Sequence, residues 1–242
     1  MPAPTKRKGL FVSGTGTGVG KTIVAAALAR HLKRAGIDVG VMKPLETGVA
    51  SPENAGEDAQ LLAEAAQSTE SLERIAPYRF KTPAAPATAA RLEQQPVDYS
   101  QLIQDARELV DRHDFTLIEG AGGLMVPVAG GFLIADLARE IGLELLVVAD
   151  PFLGTINHTL TTLLAARYLE IPVAGYIINR MPADPSPAEK AVPHDLASLT
   201  IEELLAVIPA VEGTAQQQVE RVAELLPNLA SWPLLKRFLP HH

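Results

Sequence analysis

The run Ser13-Gly-Thr-Gly-Thr-Gly-Val-Gly-Lys21-Thr22 constrains the fold of this chain more than any other stretch. It follows the apolar Gly9-Leu-Phe-Val12 and precedes Ile23-Val-Ala-Ala-Ala-Leu-Ala29, so it reads as strand, glycine-rich turn, helix. That is the layout of a phosphate-binding loop. Glycines let the backbone turn tightly and bring N–H groups against phosphate oxygens. The helix opening near Lys21 adds about half a positive charge at its N-terminus. In such a loop Lys21 reaches the β- and γ-phosphates, and the Thr22 hydroxyl ligates Mg²⁺. The strict spacing G-x-x-x-x-G-K-[ST] would need glycine where Thr15 stands. A dinucleotide loop fits less well, because Lys-Thr occupies the place of its third glycine.

The remaining chain fits an α/β fold. Ile37–Met42, Phe115–Ile118, Leu143–Ala149, Val173–Ile178 and Leu204–Ile208 read as short apolar strands. Helical spacing is expected over 21–35, 57–66, 84–93, 99–111, 157–169 and 216–226. Near-continuous apolar strands alternating with helices predict a doubly wound, mostly parallel sheet with helices on both faces, of P-loop NTPase type. The 242 residues suit a single domain over 1–242, with 1–8 as a flexible tail, 44–56 as a loop and 182–200 as a surface excursion or lid.

Composition narrows the function. A net charge of −7 argues against generic binding to nucleic acid or anionic membrane. With no cysteine, thiolate nucleophiles and zinc–thiolate sites are excluded. No apolar run approaches the ~20 residues of a membrane span. The expected compartment is the cytosol.

In an open α/β sheet, ligands sit beyond the carboxyl ends of the strands. Polar residues stand there after each apolar run: the glycine loop, Lys43, Glu119 and Asn179. A lysine ammonium beside buried strands needs an anionic partner, or else snorkels to solvent at the strand end. Glu119 stands where a phosphate-loop protein carries an acidic metal ligand, or else caps the Gly120–Gly123 turn. Asp58 opens a predicted helix, and on spacing alone it reads as a helix N-terminal charge. Asn179 carries both a donor and an acceptor for an adenine edge, or for a local turn. Asn157 reads as a helix N-cap after Gly154-Thr155.

Taken together, these motifs resemble the dethiobiotin synthetase family over roughly residues 9–210. The carrying residues are Gly14–Thr22, Lys43-Pro44 with Thr47-Gly48, Glu57-Asp58, Glu119–Gly123, Gly154–Thr159 and Asn179. The extra loop residue that breaks the strict spacing is the family's own form. The resemblance implies ATP- and Mg²⁺-dependent carboxylation and ring closure of 7,8-diaminopelargonate (7,8-diaminononanoate) with CO₂. The product is dethiobiotin, reached in biotin biosynthesis through a carbamate and a carbamic–phosphoric anhydride. It implies that Lys21, Lys43 and Thr17 are catalytic and that Thr22, Asp58 and Glu119 hold Mg²⁺. Gly18, Val19, Gly20, Lys21, Thr22 and Ile23 would contact the nucleotide. Asp58, Glu119, Gly120, Ala121 and Gly122 would do so as well, with Asn179 and Arg180, and Ile208, Pro209 and Ala210, toward the base. Substrate would meet Lys43, Thr47, Thr155 and Asn157, the last two holding its carboxylate tail across a homodimer interface. Two positions depart from the pattern. Gly18 stands where some members carry glutamate, and Ala87 where a histidine often follows proline.

A partition- or septum-site-type regulatory ATPase is the rival of the same fold. Those proteins carry a second lysine early in the loop, where this chain has Gly16. A related amidase of cobalamin synthesis needs a cysteine nucleophile that this chain lacks.

Overall fold

The computed structural model describes residues 8–240. The expected tail lies outside these residues except for Lys8, whose ammonium pairs with Asp111 at 2.5 Å. In chain order the elements are β1 (Gly9–Gly14), α1 (Lys21–Arg34), β2 (Val39–Met42), β3 (Leu45–Thr47), α2 (Glu57–Ala66), α3 (Leu72–Ile75) and β4 (Tyr78–Phe80). There follow α4 (Pro86–Leu92), α5 (Tyr99–Arg112), β5 (Phe115–Gly123), β6 (Pro127–Ala129), β7 (Phe132–Leu133), α6 (Ile134–Ile141) and β8 (Glu144–Ala149). The chain continues with α7 (Thr155–Tyr168), β9 (Val173–Met181), α8 (Pro187–Leu199), β10 (Leu204–Pro209), α9 (Ala215–Leu225), a 3₁₀ turn (Leu226–Asn228) and α10 (Trp232–Lys236).

Six strands form one parallel sheet in the order β10-β9-β8-β1-β5-β2. Successive side chains of a strand enter different cores, as the pleat requires. Leu10 and Val12 pack with α1, α2, α9 and α10, whereas Phe11 packs with α5, α6, α7 and α8 on the other face. This double cover explains why β1 is buried along its whole length and reads as a near-continuous apolar run. From β1 the chain crosses to β2 at one edge, and β8 later pairs on the opposite side of β1. The order therefore reverses at β1, and the crevice for a ligand opens at its carboxyl end.

Four expectations change. Residues 182–200 contain helix α8, which buries Val192 and Leu196 against the sheet between β9 and β10. The surface-excursion or lid reading is replaced: Ser186 and Glu189 cap the helix reciprocally, and Pro193 lies inside it. The expected loop 44–56 contains β3, which pairs in parallel with β4. Strands β5 and β9 run past their apolar cores, so Glu119 and Asn179 lie within strands rather than after them. Helix α7 starts at Thr155 with Gly154 as its N-cap, at φ 97°, so Asn157 belongs to the first turn and is not the cap.

Candidate active site

At the carboxyl end of β1 the loop turns through Gly20, at φ 88°, into α1. Two constraints require glycine there. The left-handed backbone is one; the other is Asn179, whose Nδ2 would collide with any Cβ at this position. Asn179 is buried and its Nδ2 donates to the Val19 carbonyl at 3.1 Å and the Gly20 carbonyl at 3.5 Å. A residue of β9 thus pins the outer side of the loop. No side chain caps α1, so its N-terminus opens onto a cavity of about 730 Å³.

Both expected lysines line that one cavity. Lys21 Nζ donates to the Gly16 carbonyl at 3.0 Å. Burial lowers the pKa of Lys21, and the Glu119 carboxylate offsets part of that. Lys43, at the end of β2, is 4 % exposed. Its ammonium donates to Glu119 Oε1 at 2.5 Å and to Asp58 Oδ2 at 2.7 Å. Burial alone would lower the pKa of Lys43, but the two carboxylates more than reverse this and hold the ammonium charged. Asp58, on the first turn of α2, is pulled the other way. Burial would raise its carboxyl, yet Lys43 keeps it below the ordinary aspartate value. Thr22 Oγ1 donates to Glu119 Oε1 at 2.9 Å.

The cavity also gathers Thr17, Gly18, Gly20, Ile23, Ala121, Gly122 and Thr47, together with the stretch from Pro83 to Pro86. Val19 and Gly120 belong to the same loop and strand but do not line it. Other expected residues lie outside it as well. Ile208 is buried in the core, and Ala210 N donates to the Met181 carbonyl at 2.7 Å. Arg180 pairs with Asp150 at 3.2 Å and lies over the Phe152 ring. Thr155 is buried at the start of α7, and Asn157 is exposed. Ala87 faces a separate groove beside β6.

One residue escaped sequence reasoning. Glu46, on β3, lines the cavity and is 6 % exposed. Its Oε1 accepts the Asp58 N–H at 2.9 Å, while Oε2 is buried with no protein partner. Burial raises its pKa. Leaving such an oxygen unpaired costs about 1–3 kcal/mol. The signal was there in a carboxylate three residues after Lys43, but the prolines and glycines around it made the stretch read as loop.

Among the described residues, no three His, Cys, Asp or Glu side chains assemble a self-sufficient metal centre. Mg²⁺ does not need one, since it takes one or two carboxylates plus phosphate oxygens and water. The donors here suit it: the Thr22 hydroxyl and the carboxylates of Asp58 and Glu119, the latter with a buried Oε2 that has no protein partner.

Fold and loop are those of the phosphate-loop NTPase class. The chain aligns over nearly its full length with a ParA family ATPase from Chlorobium tepidum (16% identity, 97% of this chain, 99% of that one, TM-score 0.55). It aligns equally with McdA bound to ATP from Cyanothece (17% identity, 97% of both chains, TM-score 0.58). At such identities the likeness speaks for the fold alone. The AAA domain model matches residues 8–218. ATP-dependent dethiobiotin synthetase BioD of Anaeromyxobacter dehalogenans is 45% identical over 202 residues, 84% of this chain and 90% of the relative. The enzymes of the same name from Bacillus licheniformis (37%; 89% and 91% covered) and Bacillus subtilis subsp. natto (36%; 92% and 96%) are also similar. The chain belongs to the ATP-dependent dethiobiotin synthetase family.

Proposed function

We infer that this chain is a dethiobiotin synthetase. It is an ATP-dependent ligase of biotin biosynthesis that closes a cyclic urea on 7,8-diaminopelargonate. The observation that carries the reading is one cavity holding the ammonium groups of both Lys21 and Lys43 beside Glu119 and Asp58. The rival regulatory ATPase shares the fold but leaves Lys43 and Thr47 without a task.

The reaction needs little covalent chemistry from the protein. One substrate amine adds to CO₂ and loses a proton, giving a carbamate. A carbamate oxygen takes the γ-phosphoryl group and ADP leaves. The second amine then attacks the carbonyl carbon, and the C–O bond to phosphate breaks as the ring closes. Catalysis is positioning and charge neutralisation. In this reading Lys21 holds the γ-phosphate and Lys43 the carbamate, with Thr17 on the phosphate side and Thr47 on the substrate side. The loop amides from Gly18 to Ile23 cradle the phosphates. Gly120, Ala121 and Gly122 form the opposite wall. Thr22, Asp58 and Glu119 would hold Mg²⁺, which neutralises phosphate charge when bound.

We place the nucleotide base toward Asn179, Arg180 and 208–210, beyond the loop. The substrate carboxylate is assigned to Thr155 and Asn157 of a second copy in a homodimer, at a helix N-terminus suited to an anion. Exposed Phe152 and Leu153 just before that helix supply apolar surface for such a contact.

Incubation with diaminopelargonate, bicarbonate, Mg²⁺ and ATP should yield dethiobiotin by mass. Oxygen-18 from labelled CO₂ should appear in the released phosphate. Product without label in phosphate would exclude the anhydride, and no product would exclude the function.

A further inference from the structure

Helix α2 lacks a side-chain cap of its own: Gly56 stands at the N-cap and contributes none. The open amides are met from outside, by Glu46 of β3, whose Oε1 accepts the Asp58 N–H at 2.9 Å. The Ala59 N–H also bears on this carboxylate. A second observation concerns the room the carboxylate occupies. An added Cβ on Gly56 would stand on the Glu46 carboxyl group, although Gly56 has an ordinary φ of −70°. Backbone conformation does not demand glycine at 56; the carboxylate does. A third is that Glu46 keeps a buried oxygen without a protein partner, an arrangement that stability alone does not favour.

We propose that Glu46 is a positioning residue: it caps α2 across space and thereby aims Asp58, the carboxylate that pairs with Lys43, into the cavity. Gly56 is the slot that admits it. The inference rests on the proposed reading of Asp58 as a group that faces Mg²⁺ and phosphate. Its structural half, the coupling of positions 46, 56 and 58, stands without that reading.

Gly56→Ala separates the cap from the carboxylate. The methyl group displaces the Glu46 head while leaving its charge in the chain, and the Ala backbone is unstrained. Two readouts apply to wild type, Glu46→Ala, Gly56→Ala and the double variant. In metal-free protein, amide hydrogen exchange across residues 57–66 should quicken about tenfold in the first turn of α2 in each single variant. The double variant should go no further, because both changes remove one contact. In turnover, the Mg²⁺ concentration for half-activation should rise about tenfold in each single variant. Glu46→Gln, which keeps an acceptor oxygen, should stay near wild type in both. Effects of the two substitutions that multiply in full, or exchange unchanged in either single variant, overturn the cap. Faster exchange with an unchanged Mg²⁺ midpoint overturns the aiming of Asp58. If wild type makes no dethiobiotin, the functional reading fails and exchange still decides the cap. Should Glu46→Ala not fold, Gly56→Ala set against wild type and Glu46→Gln still decides the cap: unchanged exchange in Gly56→Ala overturns it.

Discussion

Six of the helix starts in this molecule fall into two contrasting sets. At α5, α8 and α9 the cap is local: Asp98 accepts from Gln101 N, Ser186 from Glu189 N and Thr214 from Gln217 N. At α1, α2 and α7 the N-cap is Gly20, Gly56 or Gly154, and none supplies a side-chain cap. The first set finishes its helices within four residues and so serves the fold. The second leaves its leading amides to be met from elsewhere. α1 opens onto the cavity with both lysines, and α2 is met by Glu46. A helix N-terminus closed by its own serine offers little to a phosphate or to a distant carboxylate. The difference marks which of these helix ends keep leading amides free of a local side-chain cap.

The largest effect should come from Lys43. Lys43→Ala removes the partner of a Glu119 that is 1 % exposed. It should cost about 3–5 kcal/mol of stability as well as turnover, read by denaturant unfolding and by product formation. Among the described residues, Lys21 donates to a backbone carbonyl of its own loop rather than to a carboxylate. Lys21→Ala should therefore lower kcat by about 10²–10³-fold while the unfolding midpoint barely moves. If the two variants matched in stability, the buried ion cluster would not be what distinguishes them.

A smaller effect tests Asp58. Lys43 holds its carboxyl below the ordinary value. The pair's contribution is therefore complete above the unfolded value of about 3.9, and it is lost as pH falls through the lower folded value. Thermal midpoints of metal-free wild type and Asp58→Asn should differ at pH 7 and converge in stronger acid. A constant gap would detach Asp58 from the acid limb. The smallest effect belongs to the locally capped set. Ser186→Ala should cost about 1 kcal/mol, a drop of about 2–4 °C in the thermal midpoint, with kcat unchanged. A changed kcat would break the division between helix starts.

Much of the fold was open to sequence reasoning, because its signals are short in range. Strand β1, the glycine turn and α1 are adjacent in the chain, and helix α2 falls at the expected 57–66. Residues 182–200 misled because four prolines and several charges look like loop, although Ser186 and Glu189 form a capping box. Asn157 misled for a related reason. Asparagine is a favoured cap, but Gly154 in the left-handed region had already opened the helix. At the site, the loop and both lysines were legible as residues. Their convergence on one sheet edge was legible too, but not the contacts Lys43 makes with Asp58 and Glu119, nor Glu46, which has meaning only against Asp58 and Gly56.

The chain's own order of residues determined the phosphate loop, the alternation of strands and helices, and the motifs that carry family membership. These follow from backbone preference and apolar period within a few neighbours. Tertiary structure alone decided that Lys43 lies between Asp58 and Glu119, and that Asn179 locks the loop. The partners in these contacts stand 15, 76 and 160 residues apart. No local preference reaches that far. Only the packing of a parallel sheet, with its strand ends brought to one edge, sets such charges and amides against each other.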